Sequence, residues 1–172
     1  MKKIIFGITV LVIGLTITFL LAGVLSDRKF AGSLVAEYNS SSDKIWQNLT
    51  NISDLPNRRK EISGIEILEK DDKNNPKKWK EYTDMSGYII FEVAAWEEGK
   101  YLKLKMVEST FGMSGEWAYT LEKISDGKTK VTFYEDSTID SFSVRAIMTI
   151  FGRDGNLKKE KENLDLALVK SN

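Results

Sequence analysis

The feature that most constrains this chain is an uncharged, apolar run near its N-terminus. The run begins at Ile4, ends at Leu25 and consists of 22 residues, "IIFGITVLVIGLTITFLLAGVL". As a helix rising about 1.5 Å per residue it would be about 33 Å long, which is enough to cross the hydrocarbon core of a bilayer. The sequence therefore predicts a transmembrane anchor over residues 1–26 and a separate domain over residues 27–172.

A cleaved signal peptide is the alternative interpretation of this run, with Lys2 and Lys3 as its basic start. Signal peptides usually have an apolar region of only about 7–15 residues, followed by a small-residue cleavage site. Here Val24 and Ser26 are the nearest match to such a site, so we favour a retained anchor. Because a short charged tail before the first apolar segment usually stays in the cytoplasm, we expect a single-pass protein with an extracytoplasmic domain.

Two residue types are missing from the whole chain, which has no cysteine and no histidine. Their absence excludes disulfides, thiol nucleophiles, Ser–His and Cys–His catalytic pairs and imidazole metal sites. Without Lys2 and Lys3 the chain has 23 basic and 25 acidic residues, and it contains no basic stripe. We therefore expect no nucleic-acid partner, no metal and no cofactor.

The first part of the domain has the pattern of a strand followed by two short helices. Loose alternation of apolar and polar residues predicts a strand over residues 32–38. Ser41 or Ser42 is suited to cap a helix that follows it, and a second short helix or turn is broken by Pro56.

The rest of the domain has the pattern of an antiparallel meander of six strands and a terminal helix. Asp126-Gly127 is the strongest hairpin signal between two of these strands. After Ser141 the apolar residues return at helical spacing, which predicts one long helix. Gly152 and Gly155 within it mark either a kink or a place where the sheet comes close.

This order of elements resembles the SRPBCC family, also called START-like or polyketide cyclase/dehydrase-like proteins. The likeness covers residues 32–168. It rests on "AEYNSSSDKIWQNLTNISDLPNRRKEISGIEIL" for the first two strands and the helix pair, on "SGEWAYTLEK…GKTKVTFYED" for the sixth and seventh strands, and on "FGRDGNLKKEKENL" for the last helix. The resemblance implies an α+β helix-grip fold, in which a curved antiparallel sheet of about seven strands surrounds a long C-terminal helix. It also implies a cavity that holds lipids, sterols, polyketides or other apolar molecules.

In such a fold the inward face of the sheet and the last helix would line the cavity. The ligand-binding candidates are the inward-facing residues Phe91, Val93, Leu104, Met106, Trp117, Tyr119 and Phe133, with Met148 and Phe151 on the helix and Phe111 and Met113 at one rim. Tryptophan and tyrosine suit a pocket wall because each combines an apolar ring with a polar tip. The alternative is that these side chains simply fill a solid core.

Glu135 ends the inward-facing row that begins at Val131. An unpaired buried carboxylate is costly, so we expect Glu135 to pair with Arg145 or Tyr119, or to take up a proton. Glu135 and Arg145 are therefore further ligand-binding candidates, and Glu135 is the one candidate for a catalytic acid or base. If the end of the strand frays, Glu135 is instead solvated.

Together these features predict a membrane-anchored module that binds a hydrophobic small molecule or lipid without covalent chemistry. One alternative is a cyclase, dehydratase or hydrolase-like enzyme that uses Glu135 with Tyr119 or Arg145. Cyclase members of the family often use a cavity histidine, which this chain lacks. The other alternative is an interaction protein with a filled core.

Overall fold

The computed structural model describes residues 2–170. In chain order, its elements are α1 (Lys2–Leu25), β1 (Lys29–Tyr38), α2 (Ser42–Thr50), a 3₁₀ turn (Ile52–Asp54), α3 (Leu55–Arg58), β2 (Ile62–Lys70), β3 (Pro76–Thr83), β4 (Tyr88–Glu97), β5 (Tyr101–Ser109), β6 (Met113–Ser125), β7 (Lys128–Ile139), α4 (Phe142–Phe151) and α5 (Gly155–Lys170).

The seven strands form one antiparallel sheet in the order β1-β7-β6-β5-β4-β3-β2. The first strand pairs with the last, so that Leu34 lies opposite Phe133. The predicted helix-grip architecture is therefore confirmed, although β1 begins at Lys29 rather than at Gly32. The β6–β7 hairpin turns at Asp126-Gly127, as the sequence predicts.

A serine cap starts the first helix of the domain. The Ser41 hydroxyl accepts a hydrogen bond from the Lys44 N–H at 3.3 Å, which satisfies one of the unpaired donors at the start of α2. Ile45 and Trp46 then lie on the buried face of this short helix. The cap and the apolar pair together place α2 against the sheet.

The core lies between the inward face of the curved sheet and the two helices α2 and α5. Its fully buried side chains come from both layers: Ile45, Trp79, Leu102, Val131, Phe133 and Leu157. Each such side chain stabilises the fold by about 1.5–3 kcal/mol relative to its exposure to water.

The C-terminal part of the chain forms two helices. The predicted long helix is present as α5, which packs Leu157, Leu164 and Leu168 into the core. The residues predicted as its first part form the separate helix α4, which ends at Gly152 with a φ of 112°. Few residues other than glycine adopt this conformation, so the predicted kink is a full break.

Helix α4 packs mainly against α1 and contacts the sheet only at the end of β7. The rings of Phe19 and Phe142 meet edge to face, with centroids 6.0 Å apart. Gly23 lies so close to Phe142 that a Cβ atom there would come within 2.5 Å of the ring. In the described part of the chain, α1 is the one helix long and apolar enough to cross a membrane.

Candidate functional site

A cavity of about 370 Å³ lies between the sheet, the α2–α3 segment and the start of α5. Its volume is within the range of about 300–1,000 Å³ that is typical of small-molecule sites. Much of its wall is apolar, formed by Leu49, Ile52, Leu55, Ile62, Trp79, Ile89, Phe91, Leu104, Met106, Phe111, Met113, Trp117 and Val144. The interior of the domain is therefore not completely filled.

The structure brings five of the predicted ligand-binding residues together on the cavity wall: Phe91, Leu104, Met106, Trp117 and Tyr119. The rings of Phe91 and Trp117 meet edge to face at a centroid distance of 5.9 Å. Phe111 and Met113 also line the cavity. That these residues bind a ligand stays a prediction.

Four other predicted residues lie outside the cavity lining. Phe133 is fully buried in the core, where its ring packs edge to face against Tyr119. Val93 packs against the same core from β4. Met148 and Phe151 lie on α4, and Phe151 is 83% exposed. The prediction that these two cover the cavity is wrong because the chain break at Gly152 separates α4 from α5.

Glu135 is completely buried, so the solvated alternative is wrong, but it lies behind the cavity wall rather than in it. Its Oε1 accepts hydrogen bonds from Ser137 Oγ at 2.7 Å and from Asn156 Nδ2 at 3.0 Å. Burial raises the pKa of Glu135, and these two donors only partly offset that effect. Neither of its predicted partners, Arg145 and Tyr119, is bonded to it.

Arg145 connects α1 to the end of β7 and the start of α4. Its Nε donates to the Gly23 carbonyl of α1 at 3.3 Å. Its Nη1 donates to the carbonyls of Ile139 and Asp140 at 3.0 and 2.8 Å. The predicted roles of Arg145 as a partner of Glu135 and as a cavity residue are therefore corrected to a structural role at the α1–α4 contact.

A buried polar network occupies one end of the cavity. Arg59 follows α3 and donates from both Nη atoms to the two carboxylate oxygens of Glu160 on α5, at 2.6 and 2.8 Å. The Tyr119 hydroxyl donates to Glu160 Oε2 at 2.8 Å. Burial alone would raise the pKa of Glu160, but Arg59 and Tyr119 lower it overall, so Glu160 remains ionised.

A second carboxyl group, that of Glu81 on β3, lies beside this network and lines the cavity. Glu81 is only 9% exposed, and its Oε1 accepts a hydrogen bond from the Trp79 indole N–H at 2.8 Å. Burial raises the pKa of Glu81 to about 7, against the lowering effects of Trp79 and Arg59. A carboxyl group that titrates near neutral pH and lines a cavity is typical of functional sites.

The sequence interpretation missed Arg59, Glu81 and Glu160. Alternation places Trp79 and Glu81 on the same face of β3, the signal that singled out Glu135 on β7. The segment "KWKEYT" is short and mostly polar, so its alternation was not interpreted as an inward-facing row. Arg59 and Glu160 are 101 residues apart, and no local pattern links them. Within residues 2–170 no group of three or more acidic side chains is arranged to hold a metal.

No family model matches the chain, and no curated protein matches it in sequence. Solved structures do match it. A START superfamily protein from Mycobacterium smegmatis is 18% identical with a TM-score of 0.62, over 80% of this chain and 93% of that one. The Zhui aromatase/cyclase from Streptomyces sp. R1128 is 8% identical with a TM-score of 0.63, over 83% and 93% of the two chains.

Norcoclaurine synthase from Thalictrum flavum, in complex with dopamine and hydroxybenzaldehyde, is also similar to this chain. It is 12% identical with a TM-score of 0.62, over 88% of this chain and 92% of that one. At such identities the likeness shows the fold alone. The chain has the START-like (SRPBCC) helix-grip fold, as the resemblance in the sequence predicts.

Proposed function

We propose that this START-like fold is a membrane-anchored module that binds a hydrophobic small molecule or lipid in the cavity between the sheet and α5. The observation that carries the proposal is the cavity of about 370 Å³, lined by aromatic and aliphatic side chains with polar groups at one end. Apolar walls supply affinity, and a few fixed polar groups orient the ligand.

The structural neighbours support binding of organic molecules in this fold. One of them is a START superfamily protein, one an aromatase/cyclase, and one is in complex with dopamine and hydroxybenzaldehyde. We infer that the corresponding interior of this chain also receives an organic molecule. Its ligand-contacting residues would be Phe91, Leu104, Met106, Trp117 and Tyr119.

We infer that α1 is the membrane anchor. Its 24 residues would be about 36 Å long, slightly longer than the bilayer core of about 30 Å. The C-terminal turns of α1 pack against α4, so α4 would lie close to the membrane surface. Helix α4 exposes apolar side chains at Ile147, Ile150 and Phe151, and a bilayer surface beside the anchor is the partner that suits them.

This arrangement would bring the ligand cavity close to the membrane. Val144 of α4 lines the cavity, and so does Met85 in the β3–β4 loop, which is 72% exposed. The N–H groups of Asp140 and Ser141 both bond to the Gly112 carbonyl, which links the start of α4 to the rim loop between β5 and β6. An apolar ligand that concentrates in the bilayer would therefore travel only a short distance from the membrane to the cavity.

Ligand binding is tested by calorimetric titration of the full chain in lipid nanodiscs with 4-phenylbutanol, a neutral apolar probe, after subtraction of empty nanodiscs. We expect saturable binding to the wild type and at least a tenfold loss in Met106→Trp, which fills the cavity. Phe133→Leu is the matched control, because this core residue does not line the cavity. If the heats of 4-phenylbutanol injection do not saturate and are the same for wild type and Met106→Trp, the proposal is contradicted.

The side of the membrane is tested separately by cysteine labelling, since the chain has no cysteine of its own. We propose that the domain is extracytoplasmic. A membrane-impermeant maleimide should then label Asp126→Cys in intact cells, and Lys3→Cys only after permeabilisation. Labelling in the reverse order would place the domain in the cytoplasm, and the release of a shortened, unanchored chain would show that the apolar run is a cleaved signal.

A catalytic role for the same cavity is the second candidate function. Glu81 favours it, because a buried carboxyl group with a pKa of about 7 can act as an acid or a base at neutral pH. Glu81 rather than Glu135 would carry this activity, since Glu135 does not line the cavity. The enzyme interpretation fails on two results together. One is that cells with Glu81→Gln show the same phenotype as cells with the wild type, and the other is that the ligand recovered from the wild-type protein is chemically unaltered.

A further inference from the structure

The charged side chains at the polar end of the cavity are unequal in number. Six line the cavity, four of them acidic and two basic: Glu61, Glu81, Asp84, Glu160, Arg59 and Lys159. Like charges brought together in a partly dry site repel one another, and this repulsion is lowered by a bound cation or by protonation. The excess of acidic side chains therefore favours a ligand whose head group is cationic over one whose head group is anionic.

The two basic side chains offset the acidic groups only in part: Arg59 lowers the pKa of Glu81, but burial still raises it overall. Arg59 directs both terminal nitrogens to Glu160, so its charge is already paired. Lys159 bonds to Glu162 at 3.2 Å on the outer surface of α5, where both side chains are about half exposed. Among the described residues of the cavity wall, a carboxylate head group would find no guanidinium or ammonium group that is not already in an ion pair.

Three acidic groups are left without an ion-pair partner: the buried Glu81, the half-buried Glu61 and Asp84, which is exposed to solvent. Over residues 2–170, no ion pair forms at Glu61, Glu81 or Asp84 within 4.0 Å. Glu61 accepts a hydrogen bond from the neutral Asn163 amide at 3.1 Å. Glu81 uses Oε1 for the Trp79 N–H, which leaves its other oxygen without a hydrogen bond in the described chain. The backbone N–H of Asp84 bonds to the Glu61 carbonyl, which holds the β3–β4 loop beside the same end.

The remainder of the wall fits an apolar body next to such a head group. The ring centroids of Trp79 and Phe91 are 5.9 Å apart, and Trp117 continues the aromatic wall. Aromatic faces attract cations as well as apolar groups, so a protonated amine near Trp79 gains from the ring and from Glu81 together.

We propose that the ligand of this cavity is an apolar molecule bearing a cationic amine, with its ammonium group bound at Glu81 and Glu61. This inference rests on the proposed ligand-binding function and specifies the chemistry of its ligand. The raised pKa of Glu81 agrees with it. Trp79 and Arg59 offset the cost of burying this carboxylate only in part, so an incoming cation would stabilise its charged form further.

The test is a matched series of three probes that share one apolar body: 4-phenylbutylamine, 4-phenylbutanol and 4-phenylbutanoate. Each is titrated into the full chain in neutral phosphatidylcholine nanodiscs at pH 7.5, with subtraction of empty nanodiscs. We expect the amine to bind about tenfold more tightly than the alcohol, and the carboxylate at least tenfold more weakly than the alcohol.

Glu81→Gln isolates the charge, because the amide oxygen can still accept the Trp79 N–H. We expect this variant to bind the amine no more tightly than the alcohol. Glu98→Gln is the matched control: it removes the same charge from an exposed turn outside the cavity. It should leave all three affinities unchanged.

The outcomes separate this inference from the proposed function. If the alcohol binds saturably but the amine is no tighter, or the carboxylate is the tightest of the three, the amine inference is overturned and the cavity remains a site for apolar molecules. If wild type prefers the amine but Glu81→Gln retains that preference, the assignment to Glu81 is overturned. If none of the probes binds, the proposed function itself fails.

Discussion

Arg59 and Glu160 form a bidentate ion pair, in which the two Nη atoms of the guanidinium donate to the two carboxylate oxygens at 2.6 and 2.8 Å. The pair connects the chain after α3 to the middle of α5, across the polar end of the cavity. Both side chains are about four-fifths buried. Planar, bidentate geometry of this kind is among the strongest hydrogen-bonded arrangements in proteins.

Removal of one partner from this pair should be costly. Arg59→Met leaves the Glu160 carboxylate partly buried without a cation, and we expect it to lower the free energy of unfolding by about 2–4 kcal/mol. The double variant Arg59→Met/Glu160→Leu should lose less, because no unpaired charge remains. Denaturant unfolding of the full chain in nanodiscs, followed by tryptophan fluorescence, measures both. A double variant as unstable as the sum of two single variants would contradict this account.

Glu81 should make stability depend on pH near neutrality. Burial raises its pKa from 4.5 to about 7, so the folded protein holds this proton more tightly than the unfolded chain does. Its contribution is therefore fully present below about pH 4.5 and is lost as pH rises through about 7. The charged groups that act on it are Arg59, Glu61 and Glu160.

From pH 5 to pH 8 we expect the wild type to lose about 2 kcal/mol of unfolding free energy relative to Glu81→Gln, which has no titrating group at this position. The raised pKa of Glu135 acts in the same direction in both proteins and cancels from the difference. Parallel stability–pH curves for the two proteins would show that Glu81 titrates at its ordinary value.

The sequence predicted the sheet better than the helices that cover it. Alternation along β5 and β6 correctly placed Leu104, Met106, Trp117 and Tyr119 on one inward face, because the two-residue period of a strand fixes the orientation of every side chain. An apolar helical face carries no such information about its partner. The apolar residues of α4 fit contact with the sheet and contact with α1 equally well.

The polar end of the cavity was mostly hidden from sequence reasoning. Alternation along β7 pointed Glu135 inward, with a solvated side chain as the alternative, and the structure buries it. Its partners, Ser137 and Asn156, are neutral residues of kinds that are common on surfaces. The pairing of Arg59 with Glu160 depends on tertiary structure, since it joins the helix pair to the terminal helix. Only Glu81 left a local signal, as the neighbour of Trp79 on one strand face.

Glu135 should matter for packing and not for ligand binding. Glu135→Gln keeps an oxygen that can accept from Ser137 and Asn156 while it removes the buried charge, so we expect equal or slightly higher stability at pH 8. The affinity for 4-phenylbutylamine should stay within twofold of wild type, in contrast to Glu81→Gln. A tenfold loss in the Glu135 variant, with an unchanged circular dichroism spectrum, would show that Glu135 reaches the ligand.

Helix α4 should lie at the membrane surface. A bimane label on Ile150→Cys should be quenched by nitroxide-labelled lipids, because this exposed position lies on the helix that packs against α1. The same label on Asp126→Cys should not be quenched. That turn lies at the far end of β7, whose 12 residues span about 40 Å. Equal quenching at both positions would contradict the proposed orientation.

The central claim, that the interior of this domain holds an apolar molecule, is tested most directly by what the protein retains from its own cell. Wild type, Met106→Trp and Phe133→Leu are extracted side by side from the same membranes into polymer nanodiscs, and their bound small molecules are compared by mass spectrometry. We predict one species near one equivalent per chain in wild type and Phe133→Leu, reduced at least tenfold in Met106→Trp. Identical small-molecule contents in all three proteins would contradict the claim.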